Sequence, residues 1–321
     1  MLRNLALAAA AATIATAGLA SAADLPSKKS VPTLAAAEPS AVHGFMDFGY
    51  ANGRVTGGGN PLYKSGAALL QADVGVSIDL YKSKAGLINS VSVFVGAWAE
   101  NLTNPGVGKT RMQEYDWWAG ASVGFADYYK LTVQSLQFQL QPTDKANPGT
   151  QAVVKNVTAS LSYDDAHLGL PIALNPSISV IYNLSGGVTL MPLGQNDTYR
   201  VDLAIAPGYS FLKATGVPLS ISVPTSISLG PTDVYYSGQA VCGPNSNLTC
   251  STNTFQMFST GLQAKYDLGQ IIPKKFGAWS AKAGVQYYQF LSDAVKANQG
   301  VAISAAKSNS TVVSAGLSVA F

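Results

Sequence analysis

Charge is scarce in this chain. Asp, Glu, Lys and Arg make up 12% of its 321 residues, about half of the usual ~25% of a soluble domain. The net charge of +3 is too small to imply a nucleic-acid partner. Histidine occurs only at His43 and His167, and cysteine only at Cys242 and Cys250. The cysteine spacing excludes a CxxC redox or metal motif, and two histidines are too few to complete a metal site. HExxH and Walker motifs are absent. Beyond the N-terminal segment nothing approaches about 18 consecutive apolar residues, which excludes a helical membrane span. No amphipathic helix is long enough to cover a sheet. The expectation is a protein without catalysis and without a cofactor.

What is present begins with "MLRNLALAAAAATIATAGLASAADLP". Arg3 forms a short positive region, an Ala-rich apolar stretch follows, and Ala20-Ser21-Ala22 supplies an A-x-A cleavage site. These are the parts of a secretory signal peptide over residues 1–22. Residues 23–42 carry prolines and paired lysines without a period and read as a flexible lead-in. Residues 43–321 contain no second linker and read as one domain. In an exported chain, Cys242 and Cys250 are expected to form a disulfide closing a small loop.

The domain is built of alternation. Twelve segments show apolar residues at every second position between turn signals: about 44–51, 69–81, 89–100, 114–126, 129–141, 152–163, 175–184, 198–211, 218–229, 254–267, 278–290 and 311–321. In "EYDWWAGASVGFAD" one side is Tyr115, Trp117, Ala119, Ala121, Val123 and Phe125; the other is Glu114, Asp116, Trp118, Gly120, Ser122 and Gly124. A soluble core requires large side chains from a facing layer, and no such layer is available. With lipid on the apolar side none is needed. The fold class expected is all-β: a transmembrane antiparallel up-and-down barrel of about 12 strands. Two features disturb the pattern. Segment 129–141 changes phase after Val133, which a β-bulge near Gln134-Ser135 would repair. Pro207 and Pro224 lie inside strand segments and each demands a bulge or an unpaired position.

Connections after even-numbered segments tend to be short, as in "KSKAGLI", "AD" and "LKATG", while those after odd-numbered ones are mostly longer. That asymmetry suits periplasmic turns and extracellular loops. The last segment, "TVVSAGLSVAF", would seal the barrel against the first, so that no unpaired edge faces lipid. Its ending resembles the terminal signature of bacterial outer-membrane proteins. The resemblance implies that the barrel assembly machinery reads Phe321, and that the partners are outer-membrane lipid and lipopolysaccharide. The mature start "AADLPSKK" resembles the leader boundary of alphaproteobacterial surface barrels and porins.

Parity then assigns the charged residues to the lumen: Asp47, Asp73, Asp79, Glu100, Glu114 and Asp116 from the first third, and Lys130, Arg200, Asp202, Lys265, Asp267 and Lys282 from the remainder. Two readings stand side by side. The charges set up a transverse field that selects solutes, or they pair across strands and fill the interior. The function expected is passive diffusion of small hydrophilic solutes through a polar lumen in the bacterial outer membrane. A surface barrel acting through its extracellular loops is the alternative. A lipid-modifying enzyme is disfavoured, because His43 and His167 fall on the turn side, away from the outer leaflet. The cluster Asp164, Asp165 and His167 reads as a solvated turn.

Overall fold

The computed structural model describes residues 41–55, 68–84, 86–102, 113–141, 152–170, 172–185, 198–212, 216–230, 255–292 and 308–321. The expected signal peptide, nearly all of the lead-in, Cys242 and Cys250 lie outside the described residues.

Twelve strands form a closed antiparallel barrel. They are β1 (Val42–Ala51), β2 (Leu69–Lys82), β3 (Ile88–Leu102), β4 (Gln113–Phe125), β5 (Tyr129–Gln141), β6 (Ala152–Tyr163) and β7 (Ser177–Ser185). β8 comes in two pieces, Thr198–Ile205 and Gly208–Ser210, as does β9, Leu219–Ser222 and Thr225–Leu229. β10 (Phe255–Asp267), β11 (Ala278–Phe290) and β12 (Asn309–Ala320) complete the set. Each strand pairs with its sequence neighbour, and β12 pairs with β1 in the register Asp47↔Ser318 and Gly49↔Gly316. Past the end of β12, Phe321 exchanges two backbone hydrogen bonds with Gly44, at 2.8 and 3.0 Å. All edges are thereby consumed, the condition for a sheet without a covering layer.

The prolines leave positions unpaired without shifting the register. Gly208 pairs with Ser222 and Ile205 with Thr225, so the gap at 206–207 faces the gap at 223–224. β10 keeps one register across the gap, from Leu219↔Tyr266 to Ser228↔Met257. The proline carbonyls stay useful: Pro207 accepts from the Val223 N–H and Pro224 from the Gly261 N–H.

The expected bulge at Gln134-Ser135 is absent. β5 pairs with β4 and β6 in one unbroken register. The phase change in the sequence is real, and the interior accepts it: Gln134 and Leu136 are both buried there. Leu136 stands in register with Trp118 on β4, so it joins an apolar layer inside the barrel instead of turning outward. Register shifts occur elsewhere, at Asp79/Tyr81, Ile88/Ser90, Lys155/Asn156 and Ser228/Leu229.

The distribution of polarity is the reverse of a soluble protein's. Among the described residues seven buried side chains are hydrophobic and seventeen are polar or charged. Phe48, Val76, Val95, Trp117, Leu203 and Leu317 are all exposed on the outer face. So many large apolar side chains on one outer face exceed what water-facing monomers tolerate, although β5 turns Ser135 and Gln137 outward at the level where Leu136 is inside. The inner face is knitted by hydroxyls, with Ser160 to Ser179 at 2.5 Å, Ser226 to Ser259 at 2.8 Å and Ser122 to Thr132 at 3.0 Å.

Candidate functional site: the inner wall of the barrel

One level of the interior is apolar. Phe45, Gly75, Gly96, Trp118 and Leu136 stand in register across β1 to β5. The two glycines leave room for the Trp118 indole to lie back over both strands. A Cβ at either glycine would collide with the ring. Trp118 stacks on Phe45 with centroids 6.0 Å apart and meets Phe94 at 5.7 Å. Its indole N–H donates to Asp73. Leu136 extends this layer onto β5.

Next to it lies a charged cluster. Glu100 on β3 and Glu114 and Asp116 on β4 are at most 2% exposed. Into them reaches Arg54, from the chain that leaves β1. Its Nη1 is 2.5 Å from Glu114 Oε2 and 3.6 Å from Glu100 Oε1. Its guanidinium carbon lies 4.3 Å above the centre of the Trp98 ring. Burial opposes the Arg54 charge, but Glu114, Glu100 and Asp116 more than offset it, so the group is held above its ordinary value. Gln71 donates to Glu100 at 2.6 Å.

The remaining residues assigned by parity fall on the same inner face. Lys282 pairs with Asp47 at 2.8 Å across the closing seam, and Arg200 with Asp202 at 2.9 Å. Asp79 takes His43 at 2.8 Å and Lys82 at 2.5 Å near the short-turn rim. Lys265 is exposed and stands in register with Lys282. Lys130 and Asp267, at the short-turn ends of their strands, are exposed; Asp267 Oδ1 accepts the Gly269 N–H at 2.8 Å. Pairing thus engages Asp47, Asp79, Glu100, Glu114, Arg200, Asp202 and Lys282.

Arg54 was invisible to parity, because it lies beyond the end of a strand. The aromatic layer had a signal: adjacent strands each place a glycine on the inner face, at positions that register with Trp118. The string Gly-Ala-Ser-Val-Gly at Gly120 to Gly124 also fits the spacing of a hydrolase nucleophile. Here Ser122 is in mid-strand, bonded to Thr132. A nucleophile elbow needs a strand-to-helix turn, so the string is a run of small strand residues.

His167 is a structural residue of the β6–β7 turn. Its Nδ1 bonds the Asp164 carbonyl at 2.7 Å and its Nε2 meets the Tyr163 hydroxyl at 3.2 Å. The ring stacks on Tyr128, with centroids 3.5 Å apart. Asp165 organises the same turn: its two carboxylate oxygens accept the Leu174 and Asn175 N–H groups, each at 2.8 Å. Desolvation pushes the Asp165 carboxyl up, but the Asn175 and Leu174 donors outweigh it and hold it below the usual range. A depressed folded-state value contributes stability that is full above the unfolded value, ~3.9, and is lost as pH falls through the folded one. Asp165→Asn is therefore expected to destabilise the barrel by on the order of 1–2 kcal/mol at pH 7. In urea titrations the gap to the wild type should close in strong acid. A gap that persists unchanged at low pH would assign the effect to shape instead of charge.

No protein-family model matches the chain, and no curated protein sequence matches it. Solved structures similar to it include the transport unit of the autotransporter AIDA-I from Escherichia coli, with a TM-score of 0.47, 11% identity, and 88% of this chain and 90% of that one covered. The translocator domain of the autotransporter NalP from Neisseria meningitidis aligns with a TM-score of 0.41, 10% identity and 88% of each chain. A Pseudomonas aeruginosa FadL homologue aligns with 0.33, 10% identity, and 87% and 89%. Likenesses this distant carry no functional argument, and the barrel rests on its own strand pairing.

Proposed function

We propose that this chain is a β-barrel of a Gram-negative outer membrane, through which small hydrophilic solutes diffuse down their gradients. The observation that carries the reading is the inversion of polarity around a closed sheet. A mostly apolar exterior suits hydrocarbon, and an interior rich in Ser, Thr, Gln and charged groups suits water and polar solutes. Insertion would place lipid and lipopolysaccharide against residues such as Phe48, Val95 and Leu203, after delivery by the barrel assembly machinery. Charge on the inner wall would bias the ions that pass.

Planar-bilayer recording on the refolded protein tests this. Discrete ohmic steps are expected. Neutralising Glu114 and Asp116 together removes two of the three acidic charges around Arg54 and leaves Glu100 to balance it, so the reversal potential in a salt gradient should move toward anion preference. Neutralising Arg200 and Lys265 exposes Asp202 and should move it the other way. Conduction with neither shift would make these side chains filler. Absence of conduction under all conditions would favour a second reading, a closed surface barrel acting through its extracellular loops. The charge pairs Arg54–Glu114, Lys282–Asp47 and Arg200–Asp202, which occupy interior space, favour that one.

A further inference from the structure

We propose that the wall formed by Trp98, Glu114 and Asp116 is a recognition site for small planar organic cations, guanidinium compounds first among them, and that Arg54 is its tethered occupant. The inference rests on the part of the functional reading that makes the interior reachable from solution. Arg54 shows what the wall recognises. Its guanidinium is held by a carboxylate at 2.5 Å and lies over an indole face at 4.3 Å. Carboxylate and aromatic face together are the chemistry that selects a flat, delocalised cation over a compact hydrated one.

The wall has more capacity than Arg54 uses. Asp116 is 1% exposed; no N–H among the described residues donates to either of its carboxyl oxygens, and the side chain it faces is the carboxyl of Glu114, another acceptor. It stands in register with Trp98 and two residues from Glu114 on the same inner face. A buried carboxylate without donors is costly, and a ligand bearing several N–H groups would satisfy it. The carboxylates are not grouped as metal ligands would be, since no set of three acidic, histidine or cysteine side chains among the described residues is arranged to hold a metal ion. Several N–H donors on one flat group are what an acceptor-rich wall beside an indole face fits.

Arg54 follows directly on the fastened end of β1. Asn52 is fastened to β12: its N–H donates to the Val313 carbonyl at 3.1 Å, and its Oδ1 accepts the Val313 N–H at 2.8 Å. The seam is thereby closed before the chain turns inward through Gly53. A free cation competes with this tethered one at an effective concentration on the order of millimolar. Wild-type affinity is accordingly expected to be weak.

Methylguanidinium is the probe. Its binding to full-length refolded protein is measured by saturation-transfer NMR, with tetramethylammonium and sodium as comparison cations and heat-modifiable mobility as the folding check. Wild type is expected to bind in the millimolar range. Arg54→Ala, with the occupant gone, should bind about 10-fold more tightly, and adding Asp116→Asn or Trp98→Leu should cancel that gain. Arg54→Lys, which keeps the charge without the plane, should fall between and serves if the alanine variant fails to fold. No gain on removing Arg54, or a gain indifferent to Asp116 and Trp98, overturns the proposal. Equal binding of tetramethylammonium also overturns it, since any cation would then do. Conduction without methylguanidinium binding sinks this inference alone. Binding without conduction sinks the pore reading and leaves the site.

Discussion

Deletion of Phe321 is expected to remove most of the folded barrel from the membrane and to leave unfolded chain in the periplasm. The residue closes the sheet. It makes the last two backbone hydrogen bonds of the β1–β12 seam, with Gly44, at 2.8 and 3.0 Å. Its ring packs so closely on Gly44 that a Cβ there would overlap it. Without these contacts the end of β1 would carry unpaired N–H and C=O groups, which in the proposed membrane setting have no water to replace the lost partners. Two such bonds contribute about 1–3 kcal/mol together by ordinary hydrogen-bond magnitudes. The side chain itself remains 66% exposed, so its own burial adds little. The loss of assembled protein in cells should therefore exceed what the loss of stability explains. Phe321→Ala separates the two effects. It keeps the backbone bonds, so stability after refolding in detergent should stay near wild type. Abundance in the membrane should still fall if the terminal aromatic is an assembly signal. Equal abundance of the wild type, the alanine variant and the deletion would refute both roles.

The second large effect is expected at Gly316. Gly316 and Gly49 face each other in the seam, yet they are not equivalent. A Cβ on Gly316 would run into the Phe48 carbonyl oxygen and the Gly49 Cα, which are main-chain atoms with no rotamer to move. A Cβ on Gly49 would meet the Ala315 oxygen at 3.5 Å, an ordinary contact. Gly316→Val must then push β1 away from β12 or shift the register by one residue, and a one-residue slip turns every side chain of the strand to the wrong face. Overpacking of this kind costs about 1–3 kcal/mol or more. Gly316→Val should lose the heat-modifiable band and unfold at markedly lower urea. Gly49→Ala should remain within about 0.5 kcal/mol of wild type. Similar behaviour of the two variants would show that the seam yields more readily than its geometry implies.

The barrel was legible because its signal is local. A strand reports its two faces through alternation with a period of two, and the strands carry that pattern, with the phase change in β5 as the marked exception. The length asymmetry of the connections followed from the same reading, as did the need for Phe321 to close the edge. Even Pro207 and Pro224 announced unpaired positions, and unpaired positions are found. The phase change in β5 was misjudged for a physical reason. An inner face that is polar throughout requires a bulge to keep Leu136 outside. The interior holds an aromatic layer at that level, so a leucine beside Trp118 is buried without any bulge.

The amino-acid sequence by itself determined the closed sheet and the alternation of its two faces, from which parity assigns charges within the strands but not Arg54. Only the tertiary structure decided which charges meet: Lys282 with Asp47 across the seam, Arg200 with Asp202 along one strand, and Arg54 with Glu114. The first determination depends on neighbours one and two residues apart, which a linear pattern records. The second depends on where a chain goes after its strand has ended. Arg54 turns inward past Gly53, and its partners are 46 and 60 positions away in the chain; no periodicity links residues at that distance, and the interior of the barrel is the only place where they become neighbours.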